Sequence, residues 1–266
     1  MKSSHCFVVL AYKESQYLEN CIQSVLNQTH ESHVVIATST PNDFINDMAN
    51  KYQLELIVNK SQKKGIGYDF DFAKNCTDYD LVTIAHQDDQ YDDNYAEEIM
   101  KLYDQKKDSL ILFTDYYEIR NQKRVYTNTN LKIKRILLLP LKIKCLSKYR
   151  FIKRCALRLG CAICCPAVTF VNKNIKMKNV FSCDMKCNID WYAWEQISNL
   201  TGSFSYISKP LMGHRVHEES TTSEIIKDNQ RTVEDYKMFC KFWPEAIAKL
   251  LTKIYANSEK SNEIKE

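Results

Sequence analysis

The chain of 266 residues is 44% apolar and 26% charged, with five Gly and five Pro, which excludes collagenous, low-complexity and disordered classes. Its length fits one or two ordinary domains, and no apolar run approaches the ~20 residues that a bilayer span needs. The formal net charge is only +4, yet sixteen Lys or Arg and no Asp or Glu lie between Ile119 and Cys183, so that stretch carries +16 and the rest is acidic at −12.

A basic segment on an acidic protein points to an anionic partner: a membrane surface, a phosphate-bearing lipid or nucleic acid. A solvated basic face is the plainer alternative. The opening Met1-Lys2-Ser3-Ser4-His5 runs straight into an apolar stretch without a leader-like core, which predicts a cytoplasmic protein. An odd count of eleven cysteines then reads as reduced thiols. Cys161, Cys164, Cys183 and Cys187 have a spacing that suits tetrahedral zinc, but they adjoin the apolar run Pro166 to Val171, where free Cys packs as a small hydrophobe.

In chain order, His5 to Ala11 predicts the first strand. Leu18, Cys21, Ile22, Val25 and Leu26 recur at helical spacing, with Ser15 as a candidate N-cap. His33 to Ala37, Leu54 to Val58, Leu81 to Ala85 and Leu110 to Phe113 predict further strands. Ile45, Met48, Ala49 and Tyr52 mark a helix between them, as do the segments Tyr68 to Cys76 and Asn94 to Lys106. This alternation predicts an α/β fold with a mostly parallel sheet flanked by helices. From Leu131 to Leu159, Leu and Ile mix with Lys and Arg, which reads as a basic helical insert. Ala167 to Val171 and Phe204 to Ile207 predict strands, Trp191 to Asn199 a helix, and Ser223 to Phe242 and Pro244 to Ala256 C-terminal helices.

Open sheets of this kind bind ligands beyond the carboxyl ends of their strands. Those ends are polar here: Tyr12-Lys13-Glu14, Thr38-Ser39-Thr40, Asn59-Lys60 before Lys63-Lys64-Gly65, and His86-Gln87-Asp88-Asp89. Adjacent carboxylates directly after an apolar strand can present oxygen ligands to a hard divalent cation that also holds phosphate oxygens.

Phe7-Val8-Val9-Leu10-Ala11-Tyr12-Lys13-Glu14, followed by Leu18, Cys21-Ile22, Ser24-Val25-Leu26 and Gln28-Thr29, resembles the opening of family 2 glycosyltransferases. Ile84-Ala85-His86-Gln87-Asp88-Asp89-Gln90-Tyr91 is similar to their Asp-x-Asp motif, with His86 in place of the first Asp. Ala162 to Val168, Ile189 to Trp194 and His214 to Thr222 resemble the acceptor-side strand, the catalytic Asp helix and the closing His/Arg loop of bacterial surface-polysaccharide enzymes, so the likeness covers about residues 5 to 245. The resemblance implies a GT-A, Rossmann-like fold and transfer of a sugar from a nucleotide-diphosphate donor to an acceptor hydroxyl, with inversion. It places donor contacts at Tyr12, Glu14, Thr38, Lys64, Gly65, His86, Asp88, Asp89, His214, Arg215 and His217. It places Mn or Mg on Asp88 and His217. Inversion needs a base opposite the leaving group. By resemblance this is Asp190, with Glu195 in reserve, while Trp191 and Trp194 offer an acceptor-stacking wall or, more plainly, core.

The expected organisation is one domain over 1–256. It comprises a nucleotide-sugar half 1–118, the basic insert 119–160, an acceptor and catalytic half 161–222, and helices 223–256 before a frayed tail 257–266. The expected acceptor is a saccharide, free or lipid-linked. In the insert, Lys132, Lys134, Arg135, Lys142 and Lys144 interleave with Leu131, Ile133, Ile136, Leu137 and Leu141, a pattern that can meet an anionic membrane at the inner face of the cell membrane. Two other readings remain open here: a metal-dependent sugar nucleotidyltransferase, and a nucleic-acid module using Tyr149 and Phe151, which leaves the Asp88-Asp89 pair unexplained.

Overall fold

The structure, a computed structural model, describes residues 4–63, 65–217 and 230–260, with side chains described to residue 256. Its strands are β1 (His5–Ala11), β2 (His33–Thr38), β3 (Glu55–Val58), β4 (Leu81–His86), β5 (Gln90–Tyr91), β6 (Ser109–Arg120), β7 (Lys123–Val125), β8 (Val168–Val171) and β9 (Ser203–Arg215). Its helices are α1 (Leu18–Leu26), α2 (Asp43–Tyr52), α3 (Ile66–Asn75), α4 (Tyr95–Gln105), α5 (Thr129–Leu137), α6 (Arg150–Cys155), α7 (Ile189–Ser198), α8 (Gln230–Cys240) and α9 (Glu245–Lys260).

The strands form one sheet in the order β3-β2-β1-β4-β8-β6-β9-β5, with β7 paired to β6. β3, β2, β1, β4, β6 and β9 run in one direction, and β8, β5 and β7 run against them. The sheet is therefore mostly parallel, as the alternating sequence pattern predicts.

β1 shows why the apolar runs are continuous rather than alternating. Cys6 and Val8 face one core, with Phe70, Trp191 and Trp194, while Phe7, Val9 and Ala11 face the other, with Leu18, Ile22 and Tyr95. A strand covered by helices on both faces keeps apolar residues at every position.

Two strands are much longer than their apolar cores. β6 and β9 pair in parallel over residues 109–119 and 203–215, with register shifts around Thr114, Asp115 and Tyr116. Thr114, Asp115 and Glu118 interrupt the apolar run of β6 in sequence, yet all three are buried. The predicted four-residue strands therefore undercall both elements. α1 also departs from expectation: it starts at Leu18 after Tyr17, and Ser15 lies outside the cap and accepts from the Tyr17 N–H at 3.3 Å. α9 continues to Lys260 through part of the segment expected to fray, and residues 261–266 lie outside the described residues. So do residues 223–229 of the predicted penultimate helix.

The basic insert is folded back on the sheet. Asn128 caps α5 by accepting from the Leu131 N–H at 2.8 Å, and Leu131, Leu138 and Leu141 are buried. Lys134 donates to Tyr116 Oη at 2.8 Å, and Arg135 to Asp115 Oδ2 at 2.6 Å. The expectation of five outward cations is thus corrected: two of them satisfy polar groups on β6. Gly67 lets α3 approach the loop before α7, because a Cβ there would lie 2.5 Å from the Phe181 carbonyl oxygen. No helix among the described residues is long and apolar enough to cross a membrane.

Candidate functional site

β1 leads to β2 on one side of the sheet, and β3 leads back to β4 on the other, so the strand order reverses between β1 and β4. Ligands of open α/β sheets sit at such a switch point. Here the adjoining loops are laced together by side chains. Gln87 accepts from the Tyr12 N–H at 2.9 Å and donates back to the Tyr12 carbonyl at 3.0 Å. Lys13, held at φ 55°, donates its N–H to Thr40 Oγ1 at 2.7 Å. Asp69 of α3 accepts from Ser39 at 2.9 Å and Asn59 at 3.1 Å, which ties in the ends of β2 and β3. The result is an open polar groove, with Tyr12, Glu14 and Gly65 at its exposed rim.

Thr38 does not line that groove. It is fully buried, and its hydroxyl accepts from the Thr40 N–H at 3.0 Å, so Ser39 and Thr40 carry the polar surface expected of it. Gly65 is the residue before α3 and adopts φ 127°, a conformation that suits glycine. Lys64 lies outside the described residues, as do Ser220, Thr221 and Thr222.

The two carboxylates after β4 have divided roles. Asp89 is buried, and its Oδ1 accepts from the Arg215 N–H at 2.8 Å and faces His214 Nδ1 at 3.1 Å. Arg215 in turn donates its Nε–H to the Asp88 carbonyl at 2.9 Å and lies over the Tyr17 ring. Asp88 takes a different partner, with Oδ2 2.9 Å from His217 Nε2. The end of β9 is thereby strapped onto the end of β4, which unites His86, Asp88, Asp89, His214, Arg215 and His217. Burial works against charge on Asp88, but the His217 hydrogen bond and the nearby His86 and His214 hold its carboxyl below the usual range. Burial also lowers the pKa of His86, against the pull of Asp89 and Asp88; for His214, Asp89 overcomes burial and raises it.

The donor set fits a cation. His86, Asp88 and Asp89 offer ligand atoms that all lie within 4.8 Å of one another. Asp89 Oδ2 and His86 Nε2 are buried without a hydrogen-bond partner among the described residues, an arrangement that asks for a further electropositive group. The cysteines are not brought together in this way: among the described residues the only His/Cys/Asp/Glu cluster with metal-ligand spacing is this one, so the zinc reading falls.

Asp190 sits in the first turn of α7, one residue inside the helix rather than before it. Its Oδ1 accepts from the Trp191 N–H at 2.7 Å, and its Oδ2 receives the Cys161 thiol at 3.4 Å. Its charge is also among those that act on the His86 imidazole. Glu195 is arranged differently. It is buried against Arg154 at 2.5 Å and Lys241 at 3.6 Å, and these cations overcome burial to hold its carboxyl below the usual range. That ion pair pins the insert and α8 to α7, a structural role in place of the reserve base. Trp191 and Trp194 are fully buried, with indole N–H groups donated to the Leu157 and Ile163 carbonyls, so they are core and not an acceptor wall.

Matched against known families, residues 6–175 fit the description Glycosyl transferase family 2. A search of curated proteins finds no match. Among solved structures, S. aureus TarS aligns over 93% of this chain at 14% identity with a TM-score of 0.60, and the chain spans 42% of that protein. TarS 1-349 in complex with UDP-GlcNAc aligns over 94% of this chain and 70% of its own at 15% identity, with a TM-score of 0.64. The mannosyltransferase PcManGT from Pyrobaculum calidifontis, in complex with GDP-Man and Mn2+, aligns over 96% of this chain and 70% of its own at 14% identity, with a TM-score of 0.60. At these identities the likeness is one of fold.

Sequence reasoning passed over the groups that hold the segment ahead of Asp190. Asp71 of α3 accepts from the N–H groups of Val180, Phe181 and Ser182 at 2.7, 3.1 and 2.8 Å, and from the Ser182 hydroxyl. Glu234 of α8 accepts from the N–H groups of Lys186, Cys187 and Asn188 at 2.8, 2.8 and 3.1 Å. A carboxylate that gathers three N–H groups orders a loop without any regular element, and periodicity has no signal for it. Asp71→Ala strands those buried donors and is expected to cost about 3 kcal/mol or more in chemical denaturation. Asp69→Ala, which frees only two side chains, is expected to cost less. An equal or reversed order would show that the clamp does not hold the segment.

Proposed function

This chain belongs to glycosyltransferase family 2, and from that premise we propose that it moves a sugar from a nucleoside diphosphate sugar to an acceptor hydroxyl, with inversion at the anomeric carbon. The observation that carries the reading is the strap at the switch point, where Asp88 and its His86, His214 and His217 neighbours meet the groove rimmed by Tyr12 and Gly65.

The nucleoside lies along the ends of β1 to β3, against Tyr12, Glu14, Ser39, Thr40 and Gly65. The diphosphate then reaches Asp88, where His214 and Arg215 offer hydrogen-bond donors to a leaving group that grows more negative as the bond breaks. His86, Asp88 and Asp89 would hold Mn or Mg, and His217, expected from the resemblance as a ligand, would instead hold Asp88 from the side through its 2.9 Å bond. The cation supplies positive charge against the leaving diphosphate. Asp190 takes the acceptor hydroxyl's proton as that oxygen bonds to the anomeric carbon, and the electron pair of the broken bond departs with the diphosphate. The loop clamped by Asp71 and Glu234 holds Asp190 in place for this step. A saccharide acceptor, free or lipid-linked, as in bacterial surface-polysaccharide synthesis, is the acceptor class proposed, at the cytoplasmic face of the membrane.

UDP- and GDP-sugars head the donor panel, because TarS 1-349 and PcManGT were solved with UDP-GlcNAc and GDP-Man. Transfer is expected to release a nucleoside diphosphate. Release of pyrophosphate would point instead to nucleotidyl transfer. With the active donor, Mn is expected to raise Tm in a ligand-dependent way, and both EDTA and Asp88→Ala are expected to remove that rise while the unliganded Tm stays close to that of the parent protein. Undiminished Mn-dependent donor binding by Asp88→Ala would contradict the assignment. Asp190→Asn is expected to keep donor affinity while turnover falls ~100-fold or more. Near-normal kcat would take the base away from Asp190.

A further inference from the structure

We propose that the outer face of residues 131–144 is a docking surface for an anionic lipid bilayer, an inference that stands apart from the sugar-transfer reading. This short segment has two apolar faces. Leu131, Leu138 and Leu141 are 0%, 3% and 1% exposed and fasten it to the sheet. Ile133, Ile136, Leu139 and Ile143 are 48%, 62%, 50% and 52% exposed, so about half of each aliphatic side chain is left in water. Scattered surface aliphatics need no explanation, but four on one short segment form a stripe.

Charge selects the occupant. Lys132, Lys142 and Lys144 are exposed on the same segment, Lys144 with its ammonium donating to Gln105 Oε1 at 3.1 Å at the surface, while Lys134 and Arg135 turn inward to Tyr116 and Asp115. No Asp or Glu occurs from Ile119 to Cys183 to neutralise them. A second copy packed on this face would set lysine against lysine, whereas lipid headgroups are complementary to the cations and acyl chains to the stripe. Nucleic acid would use the phosphate charge but has no place for four aliphatic side chains in the centre of the patch. A recess of about 310 Å³ adjoins the stripe through Lys142, but its wall also holds Asp115, paired with Arg135, so the headgroup contacts are assigned to the exposed lysines rather than to the recess.

The test is flotation of the full chain with phosphatidylcholine vesicles, with and without phosphatidylglycerol. Binding is expected only with the anionic lipid and is expected to weaken with salt. Each exposed lysine lost is expected to lower partitioning about fivefold, so K132Q/K142Q/K144Q should bind roughly 100-fold less well. K173Q/K176Q/K178Q removes the same charge from outside this face and should change binding no more than about twofold, an effect of screened distant charge. I136S/L139S/I143S should lose binding with a closely similar circular dichroism spectrum, because all three side chains are at least half exposed and none belongs to the buried core. Ile136→Trp, as the positive readout, should be quenched by lipids brominated on their acyl chains. Equal binding to neutral vesicles, equal loss in the two lysine triples, an unquenched Trp, or lipid-free self-association abolished by the serine triple would each overturn the proposal.

Discussion

The buried carboxylate of Asp89 is the constraint on which the site depends. It joins residues 126 positions apart, accepting from the Arg215 N–H with His214 alongside, and so fixes the end of β9 to the end of β4. Breaking a buried charged contact of this kind typically costs about 3–5 kcal/mol, whereas exposed, solvent-screened pairs such as Lys101–Glu97 contribute little. The strap is therefore a structural member, and Asp88 next to it is left to face a ligand. One dipeptide thus supplies both the fastening and the functional group.

The rest of the architecture presents groups to that point from two directions. On one side, four parallel strands covered by helices on both faces hold their polar ends in a groove, laced by Gln87 to Tyr12 and by Asp69 to Ser39 and Asn59. On the other, Asp71 and Glu234 grip the irregular segment that delivers Asp190. Both clamps are carboxylates that gather backbone N–H groups, and they come from α3 and α8. Regular structure supplies stiffness, and buried acids extend it across segments that have no ladder of their own. The Arg154–Glu195 pair does the same for the insert, which leaves that element free to present an apolar, cationic outer face.

How much of this was legible in the sequence depends on how locally each feature is determined. The parallel half was readable because strands buried on both faces are written as unbroken apolar runs, and the polar residues after them mark the ligand edge. The full length of β6 was not, because buried Asp115 and Glu118 are satisfied by partners outside the strand, Arg135 and Asn128 of the following insert among them. Trp191 and Trp194 are ambiguous in sequence, since an indole looks the same in a core as in a sugar-binding wall. Only their burial and their bonds to the Leu157 and Ile163 carbonyls distinguish the two. Lys134 and Arg135 look like solvent cations in a basic helix, and their inward turn depends on β6. The split between Asp88 and Asp89 is likewise invisible until β9 arrives beside them.

That split is tested most directly by manganese anomalous diffraction from crystals grown with UDP or GDP. The account predicts an ion ligated by His86, Asp88 and Asp89 Oδ2, in contact with the diphosphate, with Asp89 Oδ1 still accepting from the Arg215 N–H. An ion bound only with that bond broken, or a bound diphosphate without manganese at residues 86–89, would contradict it.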